Sequence, residues 1–157
     1  MKSLVTVIAL FASSLAIACP DLSGTFTCPA DQASGSPEVV QKVSQTVENG
    51  VTVYQIETDG KTESIIADAQ PRTETAPFLD DNNKEIGTSI TTVTFTCVDP
   101  SLKYNADFKL ELKDGQKFNA TALGEVKINA AGDFENTFTQ AMDGRSESSV
   151  QTCIRNE

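Results

Sequence analysis

The chain contains no histidine and no tryptophan, and only two tyrosines among its 157 residues. Without imidazole there is no Ser-His-Asp or Cys-His catalysis, no ordinary catalytic zinc site and no histidine pH switch. Without indole there is no tryptophan-built aromatic cage or sugar-stacking platform. Positive charge is scarce too: 12 Lys and Arg against 22 Asp and Glu give a formal charge of −10. Nucleic acid and anionic membrane surfaces are therefore excluded as expected partners.

Long apolar runs are equally few. The stretch from Leu4 to Ile17 is shorter than the roughly 18 residues a membrane span requires, is interrupted by Ser13 and Ser14, and ends at Cys19-Pro20. With Lys2 before it and Ala16 and Ala18 in A-x-A spacing, it reads as a cleavable signal peptide over residues 1–18. Residues 19–157 are then a single exported domain with no transmembrane segment. Its charges alternate in sign, as in Lys103, Asp107, Lys109, Glu111, Lys113 and Asp114, which is the pattern of a solvated exterior.

Export gives the four cysteines a meaning. Cys19, Cys28, Cys97 and Cys153 in an oxidising compartment read as two disulfides, with three connectivities open and Cys19–Cys28 plus Cys97–Cys153 favoured. The segment Leu15-Ala16-Ile17-Ala18-Cys19 also fits a bacterial lipoprotein cleavage site, which would make Cys19 a lipid anchor and the protein an outer-membrane lipoprotein. That alternative strands one thiol of the remaining three, so parity favours the disulfides. The expected location is extracytoplasmic, periplasmic or secreted, in a bacterium.

Beyond Cys19 the pattern is two-residue alternation with glycine turns, the mark of antiparallel strands. Leu102, Tyr104, Ala106, Phe108, Leu110 and Leu112 share one face, and Phe118, Ala120, Ala122, Gly124, Val126, Ile128 and Ala130 share another. Val39, Val43 and Val47, then Val93, Phe95 and Cys97, mark two more inward faces. Asn49-Gly50, Asp59-Gly60, Asp114-Gly115, Asp143-Gly144 and Ala131-Gly132-Asp133 supply hairpin turns. Nine strands are expected, near 22–28, 38–48, 51–58, 61–69, 88–98, 102–113, 116–130, 133–142 and 147–154, with loops at 29–37 and 70–87. The fold expected is all-β: an up-and-down meander of eight or nine strands closing, or nearly closing, into a barrel. A β-sandwich is the alternative. Gly124, inside the longest strand, is expected to mark a bend or bulge.

Candidate chemistry is sparse. Asp107, Glu111 and Glu125 could form a glycosidase-type carboxylate pair, but Asp107 and Glu111 lie opposite the apolar face of their strand. The stretch Asp80-Asp81-Asn82-Asn83-Lys84-Glu85-Ile86-Gly87 concentrates oxygen ligands yet fails the EF-hand spacing in both frames. Asn119-Ala120-Thr121 matches the N-glycosylation sequon by chance, mid-strand. No catalytic residue, metal site or cofactor is expected.

The opening Leu22-Ser23-Gly24-Thr25-Phe26 resembles the first strand of lipocalin-like and avidin-like (calycin-type) barrels, in which a G-x-W motif begins the barrel; Phe26 holds the tryptophan position. The resemblance implies an arginine of the last strand packed across that ring, and Arg155 matches that role. The chain departs from both families, lacking the biotin-site tryptophans of avidin-like proteins and the helix that follows true lipocalin barrels, so the resemblance implies the barrel shape and not the ligand. Phe26-Thr27-Cys28 also resembles the opening strand of small periplasmic lysozyme inhibitors.

The expected function is that of a binding protein, not an enzyme, holding a small apolar or amphipathic ligand inside the barrel. Small inward residues leave room for one, so Tyr104, Ala106, Phe108, Ala120, Ala122 and Val126 are the candidate ligand-binding residues. The alternative is a protein-binding module, an enzyme inhibitor or envelope component, acting on an extracytoplasmic protein through residues 70–87.

Overall fold

The computed structural model describes residues 19–30 and 37–156; the signal peptide expected over 1–18 and most of the loop expected over 29–37 lie outside the described residues. Ten strands follow one another: β1 (Gly24–Cys28), β2 (Val39–Glu48), β3 (Val51–Thr58), β4 (Lys61–Ala67), β5 (Arg72–Leu79), β6 (Glu85–Val98), β7 (Ser101–Leu112), β8 (Lys117–Ile128), β9 (Phe134–Met142) and β10 (Arg145–Arg155). They form one antiparallel sheet in the order β4-β3-β2-β1-β10-β9-β8-β7-β6-β5. Asn49-Gly50, Asp59-Gly60 and Asp143-Gly144 take positive φ at both residues, as two-residue hairpins with right-handed strand twist require.

The order describes two meanders joined edge to edge. Strands β1 to β4 form one, β5 to β10 the other, and the joint is β1 against β10, where Phe26 faces Arg155 and Thr27 faces Ile154. The chain must then pass from β4, at one edge of the sheet, to β5, at the other, through residues 68–71 alone. That link spans at most roughly 17 Å fully extended, so the sheet has to curl until its edges approach.

The curl stops short of closure, so the expected all-β meander is found, while the closed or nearly closed barrel of eight or nine strands is corrected to a half-barrel of ten. The reason lies in the link itself. Ala69 N donates to Phe95 O of β6 at 2.9 Å, and the Arg72 guanidinium donates to both carboxylate oxygens of Asp68 at 2.9 and 2.8 Å. The same group reaches the carbonyls of Gln70 and Ile66 at 3.2 and 3.4 Å. One backbone acceptor at the end of β4, Ile66 O, is thus met by a side chain rather than by β5. Arg72 holds the Asp68 carboxyl down at about 2, so this clasp stays charged through the neutral and mildly acid range.

The tenth strand corrects the loop expected over 70–87. Arg72–Leu79 pairs with β6 from Arg72↔Val93 to Leu79↔Glu85, with a register shift at Phe78/Leu79. Proline at 77 lacks an N–H and is tolerated because β5 is an edge strand with one neighbour. Asp80 caps the following turn, its carboxylate accepting from Asn82 N and Lys84 N at 2.9 Å each.

The core sits at one end of the half-barrel. Leu22, Phe26, Val43, Tyr54, Leu102 and Phe134 are buried there with three of the four cysteines, Cys19 packing against them. Burying each large apolar side chain contributes about 1.5–3 kcal/mol. The cysteines pair as Cys19–Cys97 and Cys28–Cys153, which corrects the favoured connectivity. Cys28 and Cys153 lie at adjacent positions across the β1·β10 joint, while Cys19 reaches across the sheet to β6. Cys19 Sγ is therefore engaged in a bond that a lipid thioether would need to replace. Two such bonds are those of a chain folded in an oxidising, extracytoplasmic compartment. No helix among the described residues is long and apolar enough to cross a membrane. Val47, expected inward with Val39 and Val43, is 67% exposed, because the end of β2 runs past the core.

The segment before β1 closes that end. Pro20 O accepts a hydrogen bond from the buried Tyr54 hydroxyl at 2.7 Å, pinning the chain between Cys19 and Leu22 beneath the sheet. Burial pushes the Tyr54 phenol up to about 12, with a contribution from the Asp21 charge. Tyr54→Phe leaves the Pro20 carbonyl unpaired and is expected to cost about 1–2 kcal/mol in urea denaturation. A folded pKa above the free-tyrosine value means that this contribution is intact below pH 10 and is lost as pH rises through about 12. The variant should therefore lose its deficit relative to wild type in strong alkali; a deficit constant across that window would remove Tyr54 as the alkaline-sensitive group.

Candidate functional site

Register decides which side chains share the concave face. Across β6, β7, β8 and β9 the rows run Cys97-Leu102-Val126-Asn136, Phe95-Tyr104-Gly124-Phe138 and Val93-Ala106-Ala122-Gln140. The same alternation continues through β10 with Gln151 facing Asn136, and through β2 and β3 with Val43 facing Ile56. All these rows look into the half-barrel.

Beside the core these rows leave a cavity of about 380 Å³, lined by residues from eight of the ten strands and by Leu22. Its walls are mostly apolar: Val43, Ile56, Ile65, Val93, Phe95, Leu102 and Phe134. The size lies within the range of small-molecule pockets. Polar groups enter at a few points, namely Gln41, Tyr54, Tyr104, Asn136 and Gln151.

Tyr104 stands at the cavity's side, its ring tilted against Phe95 at 6.0 Å between centroids and its hydroxyl donating to Asn136 Oδ1 at 3.3 Å. Burial raises its phenol above the ordinary value. The ring lies over Gly124, where an added Cβ would come within 2.0 Å of Tyr104 Cζ. Pairing with β7 is continuous through Gly124, so no bulge forms there, and this glycine makes room for a ring.

The six sequence candidates all fall on the concave face, in two adjoining depressions. Tyr104, Ala106 and Val126 line the cavity. Phe108, Ala120 and Ala122, with Gln140 and again Ala106, line a shallower groove further along the same strands. Ala106 borders both, so its small side chain is the threshold between them.

Sequence reasoning missed Gln41, Asn136 and Gln151. Each was detectable as a polar residue in an inward position, Gln41 between Val39 and Val43, Asn136 between Phe134 and Phe138, and Gln151 two before Cys153. Gln41 is the most telling, because its Nε2 is buried without a hydrogen-bond partner, as is Gln45 Oε1. An unpaired buried donor costs about 1–3 kcal/mol.

The carboxylates weighed as a catalytic pair lie on the other face. Asp107 faces Thr121 and Glu111 faces Lys117, and Glu111 is held in an exposed ion pair with Lys117 at 2.9 Å. Arg155 is not a free surface cation. Its guanidinium lies 4.8 Å from the centroid of the Phe26 ring, and donates to Gly132 O at 2.8 Å and Ser23 O at 3.2 Å. Gly24 permits this stack, since a Cβ there would sit 2.6 Å from Arg155 Nη1 and 2.7 Å from Phe26 Cζ. No protein-family profile, curated protein or solved structure matches this chain.

Proposed function

We propose that the protein is an exported binding protein, periplasmic or secreted, that holds a small apolar or amphipathic ligand in its half-barrel and performs no catalysis. The observation that carries this reading is the cavity of about 380 Å³, whose mostly apolar walls come from seven strands and Leu22, with β10 adding only Gln151. Arg155 stacked on Phe26 beside Gly24 supports the likeness to lipocalin-like and avidin-like barrels, in shape and not in ligand.

A protein-binding role for residues 70–87 has less support. The segment is an arm of the β5–β6 hairpin, and its free edge carries Pro77, Arg72 and Glu74, residues that discourage strand addition.

Nile red, an uncharged dye that brightens in apolar surroundings, tests the carrier reading. The wild-type protein is expected to enhance its fluorescence saturably, and Ala106→Phe, which fills the threshold, to abolish the enhancement while the fold persists by circular dichroism. Deleting Asp80 to Asn83 should leave binding unchanged. Equal enhancement by wild type and Ala106→Phe would place the dye elsewhere and sink the proposal.

A further inference from the structure

Resting on that carrier reading, we infer the shape, orientation and head chemistry of the ligand: a single-chain amphipath that enters tail first, its alkyl chain lying along β7 and β8 and its zwitterionic head held at the β9–β10 hairpin. Three depressions meet end to end on the concave face. The cavity shares Ala106 with the groove at Phe108, Ala120 and Ala122, which measures about 300 Å³. That groove shares Gln140 with a wider depression of about 500 Å³, whose other walls are Met142, Asp143, Arg145 and Glu147. Register puts Glu147 and Arg145 on this face, because they pair with Gln140 and Met142, which pair in turn with Ala122 and Ala120.

Length and polarity along this track select the molecule. From Leu102 to Phe108 on β7, and from Val126 to Ala120 on β8, cavity and groove together run for six residues, roughly 20 Å. An extended alkyl chain fills such a course, whereas a compact ring system fills the cavity alone. The inner end is blind, walled by Leu22 on the segment that Tyr54 pins through Pro20 O. Charge enters only at the outer end: the groove has no charged wall, while the last depression holds Arg145 with the carboxylates of Asp143 and Glu147, all three exposed. A polar head keeps its hydration there and would lose it at the blind end. One cation and two anions complement a head carrying both signs. A purely anionic head would meet two carboxylates on a chain of formal charge −10.

The chain has two tyrosines and no tryptophan, and both tyrosines line the cavity, so intrinsic fluorescence reports on the inner part of the track. Bromine quenches such emission on contact. Tetradecylphosphocholine carrying bromine either on the last carbon of its chain or on the second carbon from the head is titrated, below its micelle concentration, into the disulfide-bonded protein. The terminal bromine is expected to quench about half of the emission at saturation and the head-proximal bromine under about a tenth, because the groove at Phe108 lies roughly 13 Å along β7 from Tyr104. Ala120→Phe, which narrows the groove and leaves the cavity walls unchanged, should weaken the long chain about tenfold while Nile red still binds. Ala120→Leu serves the same purpose should the phenylalanine variant fail to fold. Tetradecyl sulfate should bind about threefold more weakly than the phosphocholine at low salt.

Quenching by the head-proximal bromine as strong as by the terminal one would overturn the inference. So would a long-chain affinity that narrowing at Ala120 leaves unchanged, or sulfate binding as tight as that of the phosphocholine. Each of these results leaves the carrier reading standing, because a ligand still binds. No quenching by either chain while Nile red is still enhanced overturns the inference alone; loss of both signals in the wild-type protein overturns the carrier reading with it.

Discussion

Replacing Cys28 and Cys153 together with serine is expected to lower the unfolding free energy by roughly 3–5 kcal/mol. The bond closes a loop with a sequence separation of 125 residues. Chain entropy alone assigns such a loop just under 5 kcal/mol, and the Cys19–Cys97 loop, with a separation of 78, only a few tenths less. What distinguishes Cys28–Cys153 is position. The β1·β10 joint has two register pairs, Phe26↔Arg155 and Thr27↔Ile154, against nine between β9 and β10. The shortest pairing in the sheet therefore unites the two meanders, and the disulfide stands directly beside it. Both cysteines are buried, at 3% and 1% exposure, so the serine hydroxyls would also enter an apolar site without assured partners. Guanidinium denaturation measures the loss, and a steeper m-value should accompany it as the unfolded chain expands. A loss under about 1 kcal/mol would show that backbone pairing and the core hold the joint without the bond.

That joint also explains which features could be read along the chain. Strands β7 and β8 were legible because Leu102 to Leu112 and Phe118 to Ile128 alternate without interruption, and alternation is a local property. So were the hairpins, whose Asn-Gly and Asp-Gly turns carry their own backbone preference. Disulfide pairing was not legible, since it depends on the first strand meeting the last. Proximity in sequence suggested Cys19 with Cys28; proximity in space gives Cys28 to Cys153. Strand β5 escaped because an edge strand with one neighbour needs little apolar surface, and Arg72-Thr73-Glu74-Thr75-Ala76-Pro77 supplies little. Closure depends on something else, how the short link between the two edge strands is held, and there the Arg72 side chain grips Asp68 and reaches the Ile66 carbonyl of β4.

The candidate site divides in the same way. Tyr104, Ala106 and Val126 were readable from the apolar faces of long strands. Gln41, Asn136 and Gln151 were not, because a polar residue in a strand is first assigned to the wet face; only its phase relative to the neighbouring valines, phenylalanines and cysteine shows that it turns inward. The cavity is thus partly written in the residues that seem to break the pattern.

Phe26→Ala is expected to cost about 3–5 kcal/mol, the range for truncating a large buried aromatic. Phe26 has 0% exposure, and its ring packs against Phe134 at 5.4 Å between centroids as well as beneath the Arg155 guanidinium. Gly24 prevents easy collapse onto the space left behind, because it brings backbone and not side chain to the ring's edge. The contribution of the stack can be separated from that of the volume. Arg155→Ala alone should cost about 0.5–2 kcal/mol for a partly desolvated cation–π contact, plus its hydrogen bonds to Ser23 and Gly132. Combining it with Phe26→Leu, which keeps most of the volume and removes the π face, isolates the coupling in a double-mutant cycle. A coupling energy near zero would reduce Arg155 to a hydrogen-bonding clip between Ser23 and Gly132. A coupling of about 1 kcal/mol or more would make the ring and the guanidinium one unit, holding the two meanders together where the first and last strands meet.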